Sequence, residues 1–455
     1  MRVLMFGWEF PPHISGGLGT ACYGLTKGLA YHDLDIVFVV PKSYGDEDQS
    51  LIKVIGASQV PVKRRQYLIA ADKQISKDGS SQNSPYSMTY IEVGSRLVPY
   101  LSPEEFESFI RERIAHKDYA WAEPFTRNIP GSAILTETVG TINFTGKYGP
   151  ELLQEVSNYS LVASEIAQEE QFDLIHAHDW LAYPAGIAAK KASGKPLVIH
   201  VHATEFDRTG ENYNTIVFDI EKSGMEAADL IIAVSNLTRN TVINKYGIPA
   251  SKVVTVYNAV EPGEPVEYQP VKKVLDEKIV TFLGRITYQK GPEYFIEAAS
   301  KVLKHTDKAR FVMAGSGDLL RKMIRRAARL GIMEKFHFTD FLKGPDVDQM
   351  FALSDVYVMP SVSEPFGISP LEAMRSNVPV IISKQSGVSE ILKHAIKIDF
   401  WDVDAMADAI YGLISYPSLS EFFRQHGRAE VDKLKWEESA LEVKKHYSNV
   451  LKSRK

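Results

Sequence analysis

Short apolar runs, each closed by a turn, alternate along the chain with stretches whose apolar positions recur at helical spacing. Residues 3–8, 36–40, 172–178, 196–201, 230–234 and 253–256 read as buried strands. Helices are expected to about residue 30, over about 159–170 and 183–192, up to 228, and between 235 and 253. Strand, glycine-bearing turn, helix, strand is a βαβ unit, so a doubly wound parallel sheet is predicted. The Pro-rich acidic stretch 262–270 reads as a linker. The pattern then restarts, with strands at 278–284, 309–314, 336–339, 356–359 and 378–382 and helices at about 292–305, 346–354 and from 369. Residues 386–390 are expected to cap the helix after them, and the tail from about 420 is helical. Between about 44 and 159 the periodicity is lost; this reads as an insertion, with a polar loop at 77–84 and charged helical patterns at 103–117. The predicted fold class is α/β with two Rossmann-like units: 1–262, 271–419, and a helical tail, 420–455.

Composition narrows the function classes. A chain of 455 residues exceeds one ordinary core. Its 44% hydrophobic and 24% charged residues suit a globular protein. A net charge of −5 argues against non-specific nucleic-acid binding. The single cysteine, Cys22, excludes an internal disulfide framework. The first apolar run stops at Glu9, too short for a signal-peptide core, and no apolar segment reaches the roughly 20 residues of a membrane span. The expectation is a cytoplasmic protein without stable membrane insertion.

Candidate chemistry sits at the C-terminal ends of the strands, where open α/β sheets bind ligands. Gly16-Gly17-Leu18-Gly19 follows the first strand and lets a ligand approach backbone closely; a tight turn serving packing alone is the other reading. It is no dinucleotide fingerprint, since Cys22 stands where the last small residue belongs, and no Gly-Lys-Ser/Thr makes it a Walker loop. His176, His178, Asp179 and His202 close two strands; His-x-His can hold zinc, but Asp179 and His202 are better placed to touch a ligand. Arg285 and Lys290 share one loop before a helix N-terminus, and a diphosphate is their natural guest. Glu364 and Glu372 stand in the stretch Val358–Met374, on either side of the turn at Gly367. Ser369, Pro370 and Glu372 also fit a capping box, whereas Glu364 has no such structural explanation.

Gly16-Gly17-Leu18-Gly19, His176-Ala177-His178-Asp179-Trp180, His202 to Arg208, Gly284-Arg285 with Lys290-Gly291, and Glu364 with Glu372 together resemble glycosyltransferase family 4 of the GT-B fold, with a glycogen/starch-synthase flavour. The resemblance covers the whole length. It implies two domains facing a central cleft, with the tail crossing back to the first. Arg285 and Lys290 would bind the nucleotide diphosphate, Glu364 the donor sugar and Glu372 the ribose. Backbone amides of Phe366, Gly367 and Ile368 would meet sugar and phosphates, and Gly16 and Gly17 would approach the phosphates. His202 would sit near the anomeric carbon and Asp179 near sugar or acceptor. The implied activity is retaining hexosyl transfer, most simply glucosyl transfer to an α-glucan such as glycogen. No cofactor and no metal are expected; the partners are a nucleotide sugar and a glycan acceptor. A transferase for lipid-linked or cell-surface saccharides, docking through the basic helix around Arg321–Arg329, and a non-catalytic sugar-nucleotide-binding protein are the alternatives. Ile14 replaces the lysine of bacterial and plant-type glycogen synthases, which puts an ADP-glucose donor in doubt, and Asn258-Ala259-Val260-Glu261 departs from the family's Asn-Gly-Val-Asp. Nucleobase, sugar epimer, linkage and oligomeric state stay open.

Overall fold

The computed structural model describes residues 1–13, 16–69, 86–92, 132–260, 276–342 and 344–454. Ile14, Glu261, the linker at 262–270, the polar loop at 77–84 and the helical patterns at 103–117 lie outside them.

The first half is built on strands β1 (Arg2–Phe6), β2 (Asp35–Val40), β3 (Lys53–Gly56), β4 (Val62–Ile69), β5 (Tyr86–Glu92), β6 (Ser132–Gly140), β7 (Leu174–His178), β8 (Leu197–Val201), β9 (Leu230–Ala233) and β10 (Val253–Thr255). Seven of these form one sheet in the order β10-β9-β8-β7-β1-β2-β3, all neighbours parallel. Central strands buried on both faces must be apolar throughout, which is why they were legible as runs rather than alternations. Helices α1 (Gly17–Tyr31), α2 (Leu152–Glu169), α3 (Tyr183–Ser193), α4 (Glu205–Thr209), α5 (Thr215–Ala227) and α6 (Asn236–Tyr246) accompany the sheet.

The stretch read as an insertion contributes regular structure that its sequence does not suggest. It supplies β3 at the sheet edge, and β4, β5 and β6 form a separate antiparallel sheet. Helix α2 starts well before residue 159, because its first turn has a second task. The Glu155 carboxylate accepts from the Thr145 hydroxyl at 2.5 Å and from the N–H groups of Thr145 and Gly146 at 3.0 and 3.1 Å. Those polar first-turn residues tie down a loop and break the apolar periodicity.

The second half repeats the plan with β11 (Lys278–Leu283), β12 (Ala309–Ala314), β13 (Phe336–Thr339), β14 (Val356–Met359), β15 (Val380–Ser383) and β16 (Ile396–Ile398). The order is β13-β12-β11-β14-β15-β16, again all parallel. Its helices are α7 (Pro292–Val302), α8 (Leu320–Arg329), α9 (Pro345–Leu353), α10 (Ser369–Arg375) and α11 (Val403–Ser415). The core under this sheet is aromatic: Phe282, Phe295, Phe311 and Phe336 are buried together, with Phe311 and Phe336 stacked at 5.5 Å.

Both sheets reverse their winding at one place. In the first, β1 lies between β2 and β7; in the second, β11 lies between β12 and β14. The loops after β1 and β7 carry Gly16, Gly17 and Asp179, and the loops after β11 and β14 carry Arg285, Lys290 and Glu364. A switch point opens a crevice because its two loops leave toward opposite faces of the sheet. All these residues therefore sit where each sheet offers a binding edge.

The C-terminal segment divides. Helix α12 (Pro417–Val431) stays with the second sheet, and the Glu430 carboxylate accepts from the N–H groups of Lys393 and His394 at 2.8 and 2.9 Å. The return to the first half begins only near Leu434, so the crossing portion is shorter than 420–455. Helix α13 (Trp436–Lys452) then lies across α1. A Cβ placed on Gly24 would come 2.3 Å from the Trp436 indole nitrogen, and one on Gly28 would come 2.8 Å from the Trp436 carbonyl. These two glycines are the groove that admits the indole. Trp436→Ala should cost about 3–5 kcal/mol of stability through the cavity it leaves, read as an earlier midpoint in chemical denaturation.

Candidate active site

The second-half wall of the cleft is a seam between two loops. After β11 the chain reaches Lys290 and then Gly291, whose φ is +63° and whose Cβ, if present, would lie 2.1 Å from the Pro360 carbonyl oxygen. Only glycine allows that backbone and that approach. The Val362 N–H donates to the Gln289 carbonyl at 2.9 Å, closing the seam. The result is a contact between the two loops: Lys290 Nζ stands 2.5 Å from Glu364 Oε2. The Ser361 hydroxyl donates to the same oxygen at 3.0 Å. Glu364 is buried, and Arg285, on the same loop, is exposed and donates to Gln289 Oε1 at 3.3 Å. Gly367 has φ +99°, and a Cβ there would press on Glu364 Cγ and Met359 Sδ, each at 3.1 Å. Phe366 is buried while Gly367 and Ile368 are half-buried.

The capping box expected from Ser369 and Glu372 does not form. Helix α10 is preceded by Ile368 and has no side-chain cap, although Pro370 does occupy its first turn. The Ser369 hydroxyl instead interacts with Tyr357 on the buried β14 strand, a contact between elements that the capping pattern does not reveal. Glu372 is half-buried; desolvation raises its carboxyl above the ordinary range, Arg375 opposes this and Asp348 adds to it.

The first-half wall is a rigid polar network. Asp179 leaves β7 with φ +63° and is buried. Its Oδ2 lies 3.5 Å from Arg208, while its Oδ1 has no hydrogen-bond partner. Desolvation raises this carboxyl, with Arg208 the first opposing influence. Arg208 also pairs with Glu205 at 3.2 Å and with Glu221 at 2.9 Å. Glu221 is pushed up to about 7 by burial, against Arg208 and the Tyr246 hydroxyl that donates to it. His202 is half-buried, with Nε2 3.1 Å from His178 Nδ1 and 4.0 Å from the Cys22 sulfur. Burial lowers its pKa to about 3, so the imidazole is neutral near pH 7. At Gly16 and Gly17 a Cβ would meet nothing within 4 Å. Packing against the described residues does not require glycine at these two positions, which adjoin the N-terminus of α1.

The two walls touch. The Ser363 hydroxyl donates to Asp207 Oδ1 at 2.5 Å. Ile368 packs against the apolar cluster that also receives Leu18, next to Gly17. The Pro365 carbonyl accepts from the hydroxyls of Ser235 at 2.5 Å and Thr238 at 3.3 Å. Glu390 accepts from the N–H groups of Asn236 and Leu237 at 2.9 and 2.8 Å. Residues 386–390, expected to cap their own helix, thus form a short 3-10 turn (Gly387–Glu390) whose carboxylate caps α6 in the other half. The Tyr148 phenol, hydrogen-bonded to Glu9, feels both walls: desolvation, Glu9 and Asp179 raise its pKa, and Arg285 opposes them. Sequence reasoning found neither Glu9 nor Tyr148 as site neighbours. Tyr148 lies in the non-periodic region, and no local signal points to it. Asp207 stood in the His202–Arg208 motif, but its contact across the cleft depends on the facing half.

Comparison with known proteins agrees with this architecture. Residues 2–110 match the starch synthase catalytic domain family, 128–264 glycosyltransferase family 4, and 266–430 glycosyl transferases group 1. An uncharacterized glycosyltransferase of Methanocaldococcus jannaschii is 31% identical over 97% of both chains. A glycogen synthase of Mycobacterium tuberculosis is 21% identical over 92% of this chain and 88% of its own. Among solved structures, sucrose-phosphate synthase from Thermosynechococcus elongatus superposes with a TM-score of 0.67 at 16% identity over 99% of both chains. Anabaena HepE in complex with UDP and glucose superposes with a TM-score of 0.63 at 16% identity over 99% of this chain and 100% of its own. Among the described residues, no helix is long and apolar enough to cross a membrane. Two parallel sheets presenting their switch-point loops to one cleft, and a relative matched from end to end, make the chain a member of the glycosyltransferases, of the GT-B, family 4 and starch-synthase-like type.

Proposed function

We propose that the chain is a retaining, metal-independent hexosyltransferase that moves a glucosyl group from a nucleoside-diphosphate sugar to the non-reducing end of an α-glucan. The observation that carries this reading is the Lys290–Glu364 contact, with Arg285 on the same loop. A nucleoside diphosphate leaves only if its growing charge is stabilised, and fixed cations aimed at it do this without a metal. Lys290 turns from Glu364 to the diphosphate, which frees Glu364 for the donor-sugar hydroxyls. Arg285 supplies a second, forked contact. The amides of Phe366, Gly367 and Ile368 and the approach permitted by Gly16 and Gly17 complete the phosphate and sugar cradle. Glu372 takes the ribose.

On the other wall, neutral His202 lies near the anomeric carbon, and the unpartnered Asp179 oxygen takes a sugar or acceptor hydroxyl. The anomeric C–O bond to phosphate breaks and the bond to the acceptor oxygen forms on the same face. The acceptor proton passes to the departing phosphate oxygen. Contact between the halves excludes water that would hydrolyse the donor. The match to a starch synthase family and the glycogen synthase relative favour an α-glucan acceptor. The membrane-docked alternative draws less support: on the basic helix α8, Lys322 and Arg326 are already paired with Glu293 and Glu297.

ADP-, UDP- and GDP-glucose assayed with and without glycogen should show glycogen-dependent nucleotide release for one donor. Release indifferent to glycogen with every donor removes the α-glucan assignment. Lys290→Ala should lower kcat/KM by about 100-fold or more, the scale set by losing one stabiliser of transition-state charge; near wild-type turnover removes the role of Lys290. Added Mg²⁺ or Mn²⁺ should leave the rate unchanged, whereas a requirement for either contradicts metal independence.

A further inference from the structure

Beneath the cleft, adjacent strands β7 and β8 bring four histidines together. His176 and His178 share one face of β7, and His178 is in register with His200 on β8. His202 follows at the end of β8. His176 and His178 are fully buried and His200 is 2% exposed. Their ring centroids lie 4.1 Å (His176–His178), 5.4 Å (His176–His200) and 5.5 Å (His178–His200) apart.

Several of their nitrogens are left unanswered. His176 Nε2, His178 Nε2 and both nitrogens of His200 are buried without a hydrogen-bond partner. An unpaired buried polar atom is costly, and a core does not hold several in one place without something to meet them. One ligand atom from each of these three side chains lies within 4.8 Å of the other two.

We propose that His176, His178 and His200 form a buried site for one divalent transition metal, zinc in the first instance. The second contacts suit the assignment. His176 Nδ1 is 2.5 Å from the Tyr447 hydroxyl, and His178 Nδ1 is 3.1 Å from His202 Nε2. With each Nδ1–H donating to its partner, both Nε2 atoms present lone pairs inward, the usual way a ligating imidazole is oriented. Zinc–nitrogen bonds of about 2.0–2.1 Å need the nitrogens somewhat closer than 4.8 Å, which small ring rotations supply; a water completes the tetrahedron. Cys22, His178 and His202 make an overlapping set. There His178 Nδ1 and His202 Nε2 already answer one another, so that set leaves two unpartnered nitrogens, His178 Nε2 and His202 Nδ1, against four in the first. The metal would fasten β7 to β8 below the Asp179–His202 edge and, through Tyr447, hold α13 to the sheet. None of its three ligands is among the groups assigned to the transfer, so this inference stands or falls separately from the proposed reaction.

Elemental analysis of the purified chain should find one zinc per chain. That zinc should be retained in Cys22→Ser and lost in His200→Leu. Protein stripped of metal should regain it on titration with zinc and rise in Tm by roughly 5 °C at saturating metal. Cobalt(II) in its place should show d–d bands of a tetrahedral nitrogen site without a thiolate charge-transfer band, a readout on the wild-type chain that holds even if His200→Leu does not fold. Less than stoichiometric metal both as purified and after zinc titration overturns the site and leaves a buried water to fill the space. Metal that departs with Cys22→Ser, or a thiolate band with cobalt, overturns it in favour of the overlapping set.

Discussion

The Pro365 carbonyl and the Glu390 carboxylate, both borne by the second half, take up the Ser235 and Thr238 hydroxyls and the first N–H groups of α6 in the first half. A helix N-terminus leaves four N–H groups without intrahelical partners and carries partial positive charge. Here a carboxylate from across the cleft answers two of them. The geometry of the cleft depends on this contact, because it sets how the two switch points face each other. It also couples the walls directly: Pro365 is the residue after Glu364, so whatever displaces that loop also pulls at α6.

The two walls differ in how freely they can rearrange. On the first side, Arg208 is shared among Asp179, Glu205 and Glu221, all buried, and the Tyr246 hydroxyl adds to the network. Removing one member would strand a buried charge, so the set is held as a unit. On the second side, Lys290 has, among the described residues, a single carboxylate partner and a long flexible stem, and Arg285 is exposed. A stiff wall that orients sugar and a wall whose cations can turn toward an arriving anion are complementary halves of one binding device. The buried histidines lie under the stiff one.

Much of this could be read from the chain, for reasons that are physical. Parallel strands buried on both faces are continuous apolar runs, so β12, β13 and β14 emerge with the bounds their residues suggest. Arg285, Lys290 and Glu364 could be singled out because charged residues in strand-end loops before helices have few structural tasks. Asp346 and Asp348 lie in the first turn of α9, and Asp402 caps α11. What could not be read depends on the other half or on another strand. Glu390 resembles the start of its own helix and serves a different one. Strand alternation places His176 beside His178, but only the register of β7 against β8 adds His200. Ser369 and Glu372 match a capping pattern that the actual start of α10, at Ser369 with Ile368 in the cap position, does not use.

The return of α13 to α1 has a consequence for the order in which the molecule can be completed. The Glu437 carbonyl that meets His32 lies 405 residues farther along the chain. Until that helix has left the ribosome, the glycine groove of α1 and the Tyr447 side of His176 have no cover. The first sheet, though synthesised first, must wait with an apolar stripe exposed while the whole second half is made. Its finishing step therefore follows the synthesis of the second half, and the exposed stripe is open to wrong contacts during that interval.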